Sequence, residues 1–154
     1  MEDNKVEITS KQFIVVKIDN EQFGINIEYV DNIVRMQKIT RVPKAQSYFK
    51  GVINLRGEVI PVMSIRKKVN LADDVYTDKT RIIIIKPEQQ AVIGMLVDEV
   101  KEVVTLEENE IERVVVDTNA TEDKTSYINS IGKSKGELIS LLNIQGLITD
   151  KETV

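Results

Sequence analysis

Apolar residues along the chain fall into short runs that stop at turn residues. Phe13-Ile14-Val15-Val16-Lys17-Ile18 ends at Asp19-Asn20, and Phe23-Gly24-Ile25-Asn26-Ile27 then alternates. Two such runs on either side of a turn pair predict a β-hairpin. Gly51 to Leu55 and Glu58 to Met63 predict a second hairpin around Arg56-Gly57. Pro61 cannot donate to a ladder, so that strand is expected at an edge or a bulge. Arg81 to Lys86 reads as a buried strand, Pro87 to Gln90 as a turn and Ala91 to Val97 as its partner. Further strands are expected at Val100 to Leu106, Arg113 to Val116, Tyr127 to Ile131 and Glu137 to Leu142. Helix is confined to Ser64 to Val69 and Asn143 to Ile148, each opening on a capping residue. Asn70 to Thr80 and Asp117 to Ser126 are polar loops.

The pattern occurs twice. The segment Phe23 to Val34 aligns with Ile93 to Val104, with glycines matched at 24/94 and apolar residues at 25/95, 27/97, 30/100, 33/103 and 34/104. Arg56 to Ile65 aligns with Lys135 to Ile144. The offset grows from 70 to 79, which puts the extra residues in the Asp117–Ser126 loop, where insertions are tolerated. Each half then holds about five short strands, enough for a small closed barrel without exposed edges. A unit of about 70 residues is marginal alone. The halves are therefore expected to share an interface, with a groove between them. The expected subdomains are residues 11–80 and 81–150, with an exchange of terminal segments left open.

Composition supports this reading. The chain has 20 Val and 21 Ile against 8 Leu and 4 Ala. Branching at Cβ favours a pleated surface over a helix. The expected fold class is all-β. No apolar run exceeds that of Ile82 to Ile85, far short of the roughly 20 residues of a membrane span. The polar N-terminus Met1-Glu2-Asp3-Asn4-Lys5 does not read as a signal peptide.

Charge and missing residue types narrow the function. The net charge is -4 and Trp is absent, whereas a nucleic-acid binder needs a basic groove and stacking aromatics. The chain has no Cys and no His, which removes the cysteine nucleophile, the usual general base and the commonest metal ligand. Gly132-Lys133-Ser134 imitates the end of a phosphate-binding loop, but Tyr127 stands where that motif needs glycine. Asp117 to Thr121 imitates a calcium loop, but Glu122 and Ile128 occupy its glycine and bidentate-acid positions. No metal or cofactor site is expected. A nucleic-acid module and a small hydrolase or metal enzyme using only Asp, Glu, Lys and Ser are the competing classes.

Binding features remain. Arg56 stands at a hairpin tip, with five donors in a rigid fork suited to a partner's carboxylate or carbonyls. Val30 and Val100 hold equivalent places in the two repeats, and Ile39 and Val42 flank Thr40-Arg41 before Pro43. Against this background, Gly51-Val52-Ile53-Asn54-Leu55-Arg56-Gly57-Glu58-Val59-Ile60-Pro61-Val62 closely resembles the signature stretch of the CheW-like domain family. Phe23-Gly24-Ile25, Ile39 to Pro43 and Ile93 to Val100 are similar to that family too, so the resemblance spans about residues 11–150.

The resemblance implies two packed five-stranded barrels of SH3-like type with short helical turns. It also implies a non-enzymatic adaptor in the cytoplasm, beneath the inner membrane at receptor arrays. The implied partners are the helical cytoplasmic tips of transmembrane chemoreceptors and the CheW-like regulatory domain of the histidine kinase CheA. Carried over by position, Ile14, Ile27, Val30, Ile33 and Val100 would supply apolar receptor contacts in the groove. Arg56, with Gly57 holding its turn, would add a polar one. Where many relatives carry an acid that pairs with the turn arginine, this chain has Asn32. Ile39 and Val42 are the expected kinase edge. A chemosensory system controlling something other than swimming fits the same resemblance.

Overall fold

A computed structural model of the chain describes residues 10–87, 92–113 and 127–148. The eleven strands are β1 (Lys11–Ile18), β2 (Glu21–Asn26), β3 (Val30–Arg35), β4 (Phe49–Leu55), β5 (Glu58–Ser64), β6 (Arg81–Ile85), β7 (Ile93–Val97), β8 (Glu99–Leu106), β9 (Ile111–Arg113), β10 (Ile128–Ser134) and β11 (Glu137–Leu142). Helix α1 (Ile65–Lys68) follows β5, and α2 (Ile144–Ile148) follows β11. The expected turn at 87–90, the strand end at 114–116 and the loop at 117–126 fall wholly or mostly outside the described residues.

The strands form two sheets, ordered β8-β1-β2-β11-β10-β9 and β3-β6-β7-β5-β4. This is the expected mainly-β, two-barrel architecture, with a correction to how the repeats build it. The sheets do not divide at residue 80. The first takes β1 and β2 from the first repeat and its other four strands from the second, and the second takes β6 and β7 from the second repeat and its other three from the first. The exchange is stitched by equivalent parallel pairs, Leu141 beside Gly24 and Val62 beside Gly94. Neither repeat contains a complete sheet of its own, which is how two marginal units become one cooperative domain.

β3 is a strand that the run-by-run reading did not name. Its sequence Val30-Asp31-Asn32-Ile33-Val34-Arg35 does not alternate apolar with polar residues, and only the repeat implied a strand there. The sixth strand of the first sheet, β9, also has a counterpart. It pairs with β10, as Thr40 bridges to Val52 on β4 in the second sheet. In both repeats the chain after the third strand crosses to the opposite sheet edge. Pro61 corrects another expectation, since β5 is an interior strand between β7 and β4. The β7 ladder begins only at Val62, so at Pro61 the missing N–H faces no β7 partner.

Three apolar clusters result. Phe13, Val15, Val104, Ile139 and Leu141 fill the first barrel. Ile82, Ile84, Ile60 and Val62 fill the second at equivalent positions. Between the sheets lies a shared core that includes Ile14, Val16, Ile18, Ile83, Ile85, Met95 and Leu142. β1 and β6 thus bury both faces, which is why Phe13–Val16 and Ile82–Ile85 read as unbroken apolar runs. Packing is tight where the parallel strands meet. A Cβ on Gly24 would lie 2.7 Å from Leu141 Cδ2, and one on Gly94 would lie 2.8 Å from Ile82 Cγ2. Gly24→Ala and Gly94→Ala should each cost about 1–2 kcal/mol in urea unfolding, the usual cost of modest overpacking. Neutral results in both would show that the leucine and isoleucine ends have room to move.

Candidate functional site

The β4–β5 hairpin closes with Leu55 opposite Glu58, which leaves Arg56-Gly57 as a two-residue loop. Both residues have positive φ, 54° and 83°, as a type I′ turn requires. The Asn54 side-chain oxygen accepts from the Gly57 N–H at 3.2 Å and holds the turn. Arg56 is exposed at its tip.

Below the tip is a cleft of about 140 Å³. Asn32 lines it with Arg56, together with Asp31, Glu58, Lys86 and the apolar side chains of Leu55, Ile60, Ile84 and Val92. Asn32 arrives there because β3 has a bulge between Val30 and Asn32 where it pairs with β6. The Asn32 Oδ1 is buried and accepts no hydrogen bond. The structure therefore brings Asn32 and Arg56 to one site without joining them.

The other expected receptor contacts divide. Ile33 is 37% exposed on the outer side of β3. Ile27, Val30 and Val100 are half-buried and pack against the shared core. Ile14 is a correction, because it belongs to that core at 4% exposure and supports the face from beneath. Its place on β1, between two packed layers, leaves no surface for a partner. Ile39 and Val42 line a separate cleft of about 640 Å³ with Met36, Phe49, Arg41 and Tyr76. Among the described residues, no group of three or more acids or other donors is arranged to hold a metal ion. No described helix is long and apolar enough to cross a membrane.

One polar cluster was not expected from the sequence. Arg66, on α1, is buried and makes two hydrogen bonds to Asp98, Nε to Oδ1 at 3.2 Å and NH2 to Oδ2 at 2.6 Å. Its NH1 donates to the Asp73 carbonyl at 2.6 Å. Asp98 also accepts from the Asp19 N–H at 2.7 Å, and its own N–H donates to the Lys17 carbonyl. The hydrogen bonds to Asp98 raise the Arg66 pKa above its ordinary value, against the opposing effect of burial. Lys67 beside Asp73 holds that carboxyl below its usual range. The cluster ties α1 and the 70–80 loop to the β1–β2 turn of the other sheet. No spacing in the sequence links Arg66 to Asp98, although the capping Ser64 did mark the helical turn.

A family model described as the CheW-like domain matches residues 12–152. The chain is 37% identical over 145 residues to the chemotaxis protein CheW of Bacillus subtilis (strain 168), covering 94% of this chain and 90% of that one. It is 30% identical over 142 residues to the chemotaxis protein CheW of Thermotoga maritima, covering 91% and 90%. A crystal structure of the scaffolding protein TtCheW from Thermoanaerobacter tengcongensis superposes with a TM-score of 0.82 at 29% identity, covering 93% of this chain and 95% of that one. The exchanged double barrel, the Arg56-Gly57 turn beside β3 and these likenesses along the chain agree: it belongs to the CheW family of chemotaxis proteins, built on the CheW-like domain.

Proposed function

We propose that the protein is a non-enzymatic adaptor that couples transmembrane chemoreceptors to the histidine kinase CheA, in the cytoplasm beneath the receptor arrays. The observation that carries this reading is family membership along almost the whole chain, residues 12–152. The absence of His and Cys from the sequence agrees with a scaffold, since the usual general base and nucleophile are missing. The receptor's helical tip docks along the outer side of β3, with Ile33 as the exposed apolar anchor and Ile27, Val30 and Val100 at its margin. Arg56 supplies the polar contact, and Gly57 keeps its turn. This is a helix-in-groove mode, in which aliphatic contacts give most of the affinity. The kinase regulatory domain meets the Ile39 and Val42 side, which is spatially separate.

The test is a pair of titrations, one against the CheW-like regulatory domain of a cognate CheA and one against a chemoreceptor cytoplasmic fragment. Wild type should bind both. Ile33→Asp should keep its fold, because Ile33 is already partly exposed, and should lose about tenfold in receptor affinity with kinase binding unchanged. Undiminished receptor affinity would move the site off β3. No kinase binding by the wild type would overturn the adaptor reading.

A further inference from the structure

The two proposed docking faces share no residue, but a side-chain bridge runs between them. At one end, Asp73, Lys67 and Tyr76 line the cleft of about 640 Å³ together with Ile39 and Val42. Side chains hold this wall of the cleft, which belongs to the 70–80 loop. Ser64 Oγ donates to Asp74 Oδ2 at 2.6 Å, and Arg66 NH1 donates to the Asp73 carbonyl at 2.6 Å and to the Ala72 carbonyl at 3.4 Å. Val75 and Tyr76 are 60% and 50% exposed, so little packing of their own keeps the loop in place. At the other end, Asp98 stands between β7 and β8, where the chain passes from one sheet to the other. Val100, at the margin of the receptor face, follows two residues later. Arg66 joins the two ends through its paired bonds to Asp98.

The duplication shows that a barrel of this kind does not need such a bridge. Both short helices open in the same way. Ser64 Oγ accepts from the Lys67 N–H and Asn143 Oδ1 from the Gly146 N–H, while the Ser64 and Asn143 N–H groups donate to the Tyr48 and Tyr127 carbonyls. These pairs keep the offset of 79, which puts Gln145 at the place of Arg66. The offset of 70 puts Glu28 at the place of Asp98, in the other crossing between the sheets, from β2 to β3. Gln145 and Glu28 are both exposed, and a glutamine has no charge to set against a carboxylate. One crossing is thus built without a buried arginine–carboxylate bridge. The crossing that has one lies between the two docking faces.

We infer that Arg66 and Asp98 are positioning residues that couple the two faces, so that a receptor tip docked beside Val100 steadies the 70–80 wall of the kinase cleft; the identity of both occupants rests on the adaptor reading. A guanidinium bonded twice to one carboxylate fixes direction as well as distance. Asp98 accepts from the Asp19 N–H and donates its own N–H to the Lys17 carbonyl, so it moves with the β1–β2 turn and the start of β8. A ligand that orders this junction also orders the loop through Arg66. The second ligand then has less ordering to do, which gives positive cooperativity without a large change of shape. The effect is reciprocal: the kinase domain favours receptor binding by the same factor.

The experiment uses the full chain as wild type, Asp98→Asn, Arg66→Lys and the double variant. Gly24→Ala is the control, since it disturbs packing without touching the bridge. Thermal unfolding first verifies each fold. Calorimetry then measures affinity for the CheW-like regulatory domain of CheA, with and without a saturating chemoreceptor cytoplasmic fragment. In wild type the fragment should raise that affinity about fivefold, the low end of ordinary coupling, and each bridge variant should bring the factor below about twofold. The double variant should lose no more than either single one, because both changes break one link. Gly24→Ala should keep the full factor. A merely structural role would lower both kinase affinities equally and leave the factor at its wild-type value. Hydrogen exchange gives a second readout that Arg66→Lys can supply if Asp98→Asn does not fold. The receptor fragment alone should slow exchange at the Leu71 and Thr80 amides in wild type and not in a bridge variant. No factor in wild type, the same factor in the bridge variants, or its loss in Gly24→Ala would each overturn the coupling. Binding of both partners without coupling overturns the coupling alone, whereas binding of neither overturns the adaptor reading and the coupling with it.

Discussion

Arg66→Ala should lower the unfolding free energy by about 3 kcal/mol, measured in urea. The side chain is 7% exposed and makes two bonds to Asp98 and a short one to the Asp73 carbonyl. Truncation leaves a carboxylate and a carbonyl without their donor. Breaking a buried pair from one side costs about 3–5 kcal/mol. The Asp98 side chain keeps 22% exposure, so water can recover part of that and the lower end is expected. A double-mutant cycle with Asp98→Asn should show strong coupling, because the two changes remove one interaction. A loss below about 1 kcal/mol would mean that the pair behaves as a surface ion pair. The variant should also loosen the contact between the sheets, since Asp98 carries the link onward to the Asp19 N–H.

Gly51→Val should cost at least about 3 kcal/mol, for a backbone reason. Gly51 has φ of +141°, where side chains are strained, and its Cβ would stand 2.1 Å from the Thr40 carbonyl oxygen. That oxygen is not a flexible tip that can swing aside. It accepts from the Val52 N–H at 2.8 Å, while the Thr40 N–H donates to the Val52 carbonyl at 2.8 Å. A side chain at position 51 must push the Thr40 segment off β4. This would open the edge that Thr40 covers and displace Ile39 and Val42, so on the proposed adaptor reading kinase binding should fall along with stability. Hydrogen exchange at the Thr40 and Val52 amides is the direct readout. Protected amides and a cost under about 1 kcal/mol would show that the segment yields cheaply.

Much of the fold was legible because it depends on short stretches. The excess of Val and Ile named the class. The runs at 13–16 and 82–85 marked the strands that bury both faces, and Arg56-Gly57 marked the turn of the second hairpin. The misreadings have local causes. Val30–Arg35 sets Asp31-Asn32 and Ile33-Val34 side by side and so lacks a strand's alternation, and Pro61 lies in an interior strand whose second ladder starts one residue later. At the candidate site, Arg56 stood out by its turn. Its relation to Asn32 came only through the family resemblance, because 24 residues and two different strands separate them.

By itself, then, the sequence determined most of the strands, the hairpin turns and, through its internal repeat, the existence of two equivalent halves. The strands and turns follow from backbone preference and apolar period within about ten residues. Only the tertiary structure decided that the halves exchange strands, that Ile14 lies under the surface while Ile33 lies on it, and that Arg66 meets Asp98. It alone set Lys135 against Glu102 and Arg56 beside Asn32. Such relations join residues 24 to 117 positions apart. They depend on which strand pairs with which and on one bulge in each third strand, and no local preference encodes either.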